Sequence, residues 1–161
     1  LKGEAYFDVE KGKKFQVHSD LGTVTVLGTE FNVVARENVF QVSCFEGLVS
    51  VLFDGESIQL PAGTMVELVS NRLVKSQVLR SAPTWLNNRS TYDNVPLEKV
   101  IQEVALHYGV EIELINVVNE NFTGAFELDQ LENALNEVTK PFDLTFTIVS
   151  PKKVVISDGK D

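Results

Sequence analysis

An all-β domain followed by a small α+β domain is the fold class that the sequence predicts, and three observations predict it. Residues 1–80 carry strand-length runs of aromatic and β-branched side chains with no helical period. Turn signals separate those runs at intervals of roughly 8–12 residues. After Pro83 the apolar spacing lengthens twice to that of an amphipathic helix, with strand-like segments on either side. A chain of 161 residues, 43% of them hydrophobic, can bury a core in each domain.

In the first domain, placed at residues 1–80, Gly3-Glu-Ala-Tyr-Phe-Asp-Val9 opens the strand pattern. Phe15–Ser19, Thr23–Leu27, Phe31–Ala35, Val39–Phe45 and Leu48–Phe53 continue it, by alternation or as short apolar runs. Asp54-Gly55 supplies the positive φ of a two-residue hairpin before Ser57–Leu60. Pro61-Ala-Gly63 and Ser70-Asn-Arg72 mark two further turns. Many short strands imply a sandwich, a barrel or a short β-solenoid, and the sequence does not choose among them. Gly28 and Gly47, set against apolar strands, indicate a bulge, a bend or a close backbone approach; the functional alternative is a ligand lying on exposed backbone.

The second domain is placed at residues 84–161. Ser90–Asp93 opens it as a strand. Leu97, Val100, Ile101, Val104 and Tyr108 then follow helical spacing, with Asn94 as cap, Pro96 in the first turn and Gly109 as terminator. Val110–Ile115 alternates strictly and Asn121–Phe126 reads as another strand. Asp129 with Glu132 resembles a capping box before a helix that carries Leu128, Leu131, Ala134, Leu135 and Val138 on one face and ends at Pro141. Leu144–Val149 and Lys153–Ile156 close as a hairpin around Ser150-Pro151. The order is β-α-β-β-α-β-β, with both helices expected on one side of a small mixed sheet.

The chemistry is sparse. Net charge is −9, spread as eight Lys/Arg against ten Asp/Glu in residues 1–80 and six against thirteen in residues 81–161. Nucleic acid is therefore not an expected partner, since phosphate binding requires clustered basic side chains. An acidic second half serves solubility or favours a basic protein surface. Cys44 is the only cysteine, in phase with Phe40 and Val42, and reads as a buried, inert thiol. His18 and His107 have no second ligand at metal-binding spacing. Asp8 with Glu10 and Glu111 with Glu113 are paired acids of the kind a glycosidase uses, but Ile112 and Leu114 take the inward face and turn Glu111 and Glu113 to solvent. Carboxylates near Glu127, Asp129 and Glu132 suggest Ca²⁺ without the spacing of an EF-hand. No nucleophile elbow, Walker loop or dinucleotide fingerprint occurs, so no catalytic residue, metal ligand or cofactor is assigned. No run reaches the ~18 apolar residues of a membrane helix. The start at Leu1 reads as a fragment cut or processed from a longer protein.

Several motifs resemble the FecR family of periplasmic anti-sigma factors. In the first domain they are Gly3–Val9, Phe15-Gln-Val-His18, Val24-Thr-Val-Leu-Gly-Thr-Glu-Phe-Asn-Val33 and Gly47-Leu-Val; Leu60-Pro-Ala-Gly63 matches the family's turn with its order altered. In the second they are Trp85, Tyr92-Asp-Asn-Val-Pro-Leu97, His107-Tyr-Gly-Val110 and Phe122-Thr-Gly-Ala-Phe126, similar in plan to the short signalling domain of secretins and TonB-dependent transducers. The resemblance implies a periplasmic piece of a single-pass inner-membrane protein. It would dock with the signalling domain of an outer-membrane TonB-dependent transducer and control an extracytoplasmic-function sigma factor, which an absent cytoplasmic segment would hold. The other reading is a periplasmic small-ligand or glycan sensor. Docking is expected through a sheet edge, with the last hairpin as the candidate and Thr145, Thr147, Lys153 and Val155 as its contact residues. Lys152 and Lys153 serve equally well as guards against aggregation. Val155→Pro is expected to weaken docking while the domain stays folded.

Overall fold

A computed structural model describes residues 1–78, 80–117 and 120–159. The chain divides into two units, Leu1–Pro83 and Thr84–Asp161.

Unit 1 is built from nine strands: β1 (Gly3–Asp8), β2 (Phe15–His18), β3 (Thr23–Val26), β4 (Glu30–Arg36), β5 (Val39–Glu46), β6 (Leu48–Phe53), β7 (Glu56–Pro61), β8 (Thr64–Val69) and β9 (Arg72–Gln77). They form two antiparallel sheets, ordered β1-β4-β5-β8-β9 and β2-β3-β6-β7. The chain lays a hairpin in one sheet, crosses to the other, lays the next hairpin and crosses back. The result is a sandwich wound like a short solenoid of hairpins. Inward side chains of both sheets make a single core, including Val24, Phe31, Phe40, Val42, Val51 and Val66. Phe7 extends it, stacked on Phe31 at 5.0 Å between ring centres.

Two hairpin turns follow directly from sequence. Asp54 and Gly55 lie at φ 47° and 79°, and Ser70 and Asn71 at 48° and 63°, the paired positive values whose twist matches that of the flanking strands. Hydrogen bonds also link strands of the two sheets. The Leu1 amino group donates to the His18 carbonyl. The Lys75 ammonium on β9 donates to the Gln59 carbonyl on β7 at 2.9 Å.

On the outward face of the five-stranded sheet, the Tyr6 hydroxyl donates to Glu30 Oε2 at 2.8 Å. Partial burial and the neighbouring Glu30 carboxylate push the phenol up to about 12 from its ordinary 10.0. Below pH 10 the phenol is neutral in both the folded and the unfolded chain. As pH rises from 10 towards 12 only the unfolded chain ionises there, so this contribution to stability is progressively lost. Tyr6→Phe is therefore expected to flatten the fall in stability over that pH window, as read by urea denaturation at fixed pH. Burial likewise pushes the Cys44 thiol up to about 11, consistent with an inert side chain.

Unit 2 contains β10 (Arg89–Pro96), α1 (Leu97–Tyr108), β11 (Glu111–Ile115), β12 (Asn121–Glu127), α2 (Leu131–Thr139), β13 (Thr145–Ser150) and β14 (Lys153–Ser157). The element order is the expected one, but the strands do not form a single mixed sheet. β10 pairs with β12 antiparallel, and a separate three-stranded sheet runs β11-β14-β13, with β14 parallel to β11 and antiparallel to β13. Both helices touch strands of both sheets. They share one core, with Val100 and Val104 of α1 and Leu135 and Val138 of α2 meeting Phe122, Phe126, Val154 and Ile156.

The caps differ from the sequence reading. Pro96 stands at the N-cap of α1 and Asn94, at φ 53°, lies in a bulge of β10, where its amide donates to Thr123 Oγ1. Gln130 caps α2 without a side-chain bond, because the Asp129 carboxylate accepts from the adjacent Gln130 amide and the capping box does not close. Gly109 does end α1, at φ 64°.

Candidate functional site

Gly28 packs its Cα against the Lys11 main chain and, with Gly47, also borders an open depression. At φ 94°, its absent Cβ would stand 2.3 Å from Lys11 Cα and 2.8 Å from Lys11 N. Only hydrogen fits there. Beside it opens a shallow depression of about 580 Å³, lined by Lys11, Thr25, Leu27, Leu48, Ser50 and Gln59 among others. No aromatic ring lines it. On the same sheet face Gln16, Thr25, Ser50 and Gln59 stand in register across four strands. Gln16 donates to Thr25 at 3.0 Å and Gln59 to Ser50 at 3.1 Å, so these polar groups satisfy one another.

The paired acids do not converge. Asp8, Glu10, Glu111 and Glu113 are all exposed, and Glu113 forms an ion pair with Lys153 at 2.9 Å. Among the described residues no cluster of three or more His, Cys, Asp or Glu is placed to hold a metal ion, the Glu127, Asp129 and Glu132 group included. His18 Nδ1 lies 3.1 Å from Thr23 Oγ1, and His107 packs edge-on against Tyr108.

The three-stranded sheet of unit 2 is the remaining candidate. Its inward face carries Ile112, Leu114, Phe146, Val154 and Ile156. Alternation sends the neighbouring residues to the other face. Thr147 is opposite Val155, which is opposite Glu113, and Thr145 and Lys153 share that face. The four residues expected as contacts thus lie together, but on two strands of different standing. β13 is an edge strand. β14 is the central strand, paired on both sides, so the backbone around Lys153 and Val155 is already committed to β11 and β13. The expected edge hairpin is corrected to an edge formed by β13 alone. Proline at Val155 would break the middle of the sheet rather than test docking selectively. The sequence concealed this because the parallel pairing of β11 with β14 joins segments about forty residues apart.

Edge strands invite pairing unless charge, proline or brevity blunts them. β1, β7, β9, β10, β11 and β12 each contain at least one Asp, Glu, Lys or Arg. β2 lacks these and is only four residues long. β13, Thr145-Phe-Thr-Ile-Val-Ser150, is the one edge strand of six or more described residues without a charged side chain. Ile148 and Val149 are 45% and 59% exposed. A bulge between Ile148 and Ser150 bends its far end and leaves Thr145–Ile148 as the regular run.

Comparison with known proteins agrees with this plan. Residues 1–50 match the family described as FecR protein, and residues 89–156 match FecR, C-terminal. Together these matches take in nearly three quarters of the sequence, with one in each unit. No curated protein matches the sequence. Two crystal structures of a protein described provisionally as an anti-sigma factor, from Parabacteroides distasonis ATCC 8503, share the fold. The first superimposes with a TM-score of 0.82 at 23% identity over 99% of this chain and 79% of the other. The second gives 0.81 at 23% identity, over 99% and 78%. With both of its units matched in chain order, the chain belongs to the FecR family of signal-relaying anti-sigma regulators.

Proposed function

We propose that this chain is the periplasmic relay portion of a membrane-anchored anti-sigma factor. It docks with the signalling domain of an outer-membrane TonB-dependent transducer, and β13 accepts a strand of that domain. The observation that carries the docking mode is the uncharged, one-sided edge Thr145–Ser150. Main-chain hydrogen bonds supply affinity in such pairing, and alternate side chains supply selectivity. Thr145, Thr147 and Val149 form the outward set, while Lys153 and Val155 lie behind them on β14 and flank the added strand without pairing to it. A change in this contact on substrate loading would pass to a sigma factor held by a cytoplasmic segment of the parent protein.

Thr147→Lys with Val149→Lys places two charges on the edge at exposed positions. This double variant is expected to weaken binding to a transducer signalling domain at least tenfold by calorimetry, with a melting temperature within about 2 °C of the parent. Unchanged affinity would remove β13 from the interface. Failure of the parent chain to bind any transducer signalling domain from its own organism would remove the transducer.

A further inference from the structure

We infer that Ile148 selects which strand β13 accepts, by requiring an apolar side chain beside it on the helix-covered face of the sheet. The inference rests on the docking proposed above and names the character of the strand that docks: apolar at two alternate positions, polar between them.

Ile148 stands opposite Val154 of β14, which stands beside Ile112 of β11, so the three form one row across the sheet. Phe146, Ile156 and Leu114 form the next row. Both rows lie on the face where α1 and α2 pack. Along the first row the burial stops short of the edge. Val154 is fully buried, yet Ile148, on the same face, is 45% exposed. The other edge of this sheet ends differently: β11 carries Glu111 and Glu113, charges that discourage a further strand. The sheet therefore leaves an apolar row uncovered on the β13 side. A strand added there sets its side chains beside those of β13 and on the same faces. Beside Ile148 an apolar side chain covers the exposed surface. A polar one gives up water and finds no replacement, because the inward side chains Phe146, Ile148, Val154 and Ile156 offer no hydrogen bond. The outward face is permissive. Thr145 and Thr147 lie there with Lys153, itself paired with Glu113 at 2.9 Å, and this set can meet polar or charged neighbours. The irregularity after Ile148 confines regular pairing to Thr145–Ile148, so the positions beside Phe146 and Ile148 are the two that an accepted strand must match.

The test compares Ile148→Thr with Ile148→Val in the full 161-residue chain, by calorimetry against a transducer signalling domain from its own organism. Both variants keep a β-branched side chain suited to a strand, and they differ in one hydroxyl. Ile148→Thr is expected to weaken binding about fivefold or more, and Ile148→Val to stay within about twofold of the parent. A serine scan of the apolar residues of the signalling domain supplies the readout that a merely structural role would not move. At least one replacement should cost about fivefold or more against the parent chain and under about twofold against Ile148→Thr, the coupling of two side chains in contact. If the double lysine variant loses binding while Ile148→Thr keeps it, or if no scanned position shows the coupling, the selectivity assigned to Ile148 is overturned and the docking edge stands. If the double lysine variant binds as the parent does, or the parent binds no signalling domain, the proposed function falls and this inference falls with it.

Discussion

Gly28→Ala is expected to destabilise unit 1 by about 4 kcal/mol, lowering its melting temperature on the order of 20 °C. Two costs add. The backbone at φ 94° lies where an L side chain is strained, which costs roughly 1–2 kcal/mol. The methyl group would also stand 2.3 Å from Lys11 Cα and 2.8 Å from Lys11 N, so relief requires the main chain to move, not a side-chain rotamer. That main chain is fastened in place: the Val9 amide donates to the Thr29 carbonyl and the Thr29 amide to the Val9 carbonyl, both at 3.1 Å, and the Gly12 amide donates to Leu27. Gly47 shares the site, since its own missing Cβ would meet the Gly28 carbonyl at 3.0 Å. Thermal denaturation followed by far-UV circular dichroism is the measurement. A loss below about 1 kcal/mol would mean that residues 10–11 give way freely. Gly55→Ala serves as comparison, for its φ is also positive but nothing lies within 4 Å of the added methyl, so only the conformational cost of about 1 kcal/mol should appear.

Phe122→Ala is expected to cost unit 2 about 3–5 kcal/mol. The side chain is 2% exposed and lies in a group of rings, edge-on to Tyr92 at 6.1 Å and tilted to Phe142 at 6.3 Å. Its ring also covers Gly124, where a Cβ would approach Phe122 Cζ to 2.8 Å. Truncation therefore empties space that β12, α1 and α2 share and that no nearby side chain fills without backbone movement. Urea denaturation should show the loss as a lower midpoint. If β13 is the docking edge, the same variant should bind a transducer signalling domain normally at temperatures where it stays folded, which separates a defect of the core from a defect of the edge. A loss under about 1 kcal/mol would show that the rings repack around the gap.

Local features were legible where one short segment determines the outcome. Asp54-Gly55 specifies its turn without help from distant residues, and Gly109 specifies the end of α1. Alternation in Glu111–Leu114 shows which side chains turn inward, and they do. Hidden features were those in which two distant segments decide together. Periodicity says that Val154 and Ile156 face a core but not which strands lie on either side of them, so the expected edge took in the central strand β14 along with β13. Asn94 read as a helix cap because the bulge that displaces it depends on β12, nearly thirty residues later. The FecR likeness was readable because its motifs are turns and close approaches, such as Gly28 and Phe122-Thr-Gly124, where few other residues fit.

The central position of β14 also dictates when unit 2 can be completed during synthesis. Ribosomes and export channels deliver a polypeptide from its amino end, so β11 emerges with no neighbour and waits through roughly forty further residues for the strand that will lie between it and β13. Until Val154 and Ile156 are delivered, Ile112 and Leu114 have no strand to pair with. Premature release, even a few codons upstream of that point, should yield a product fit for degradation rather than a shortened relay.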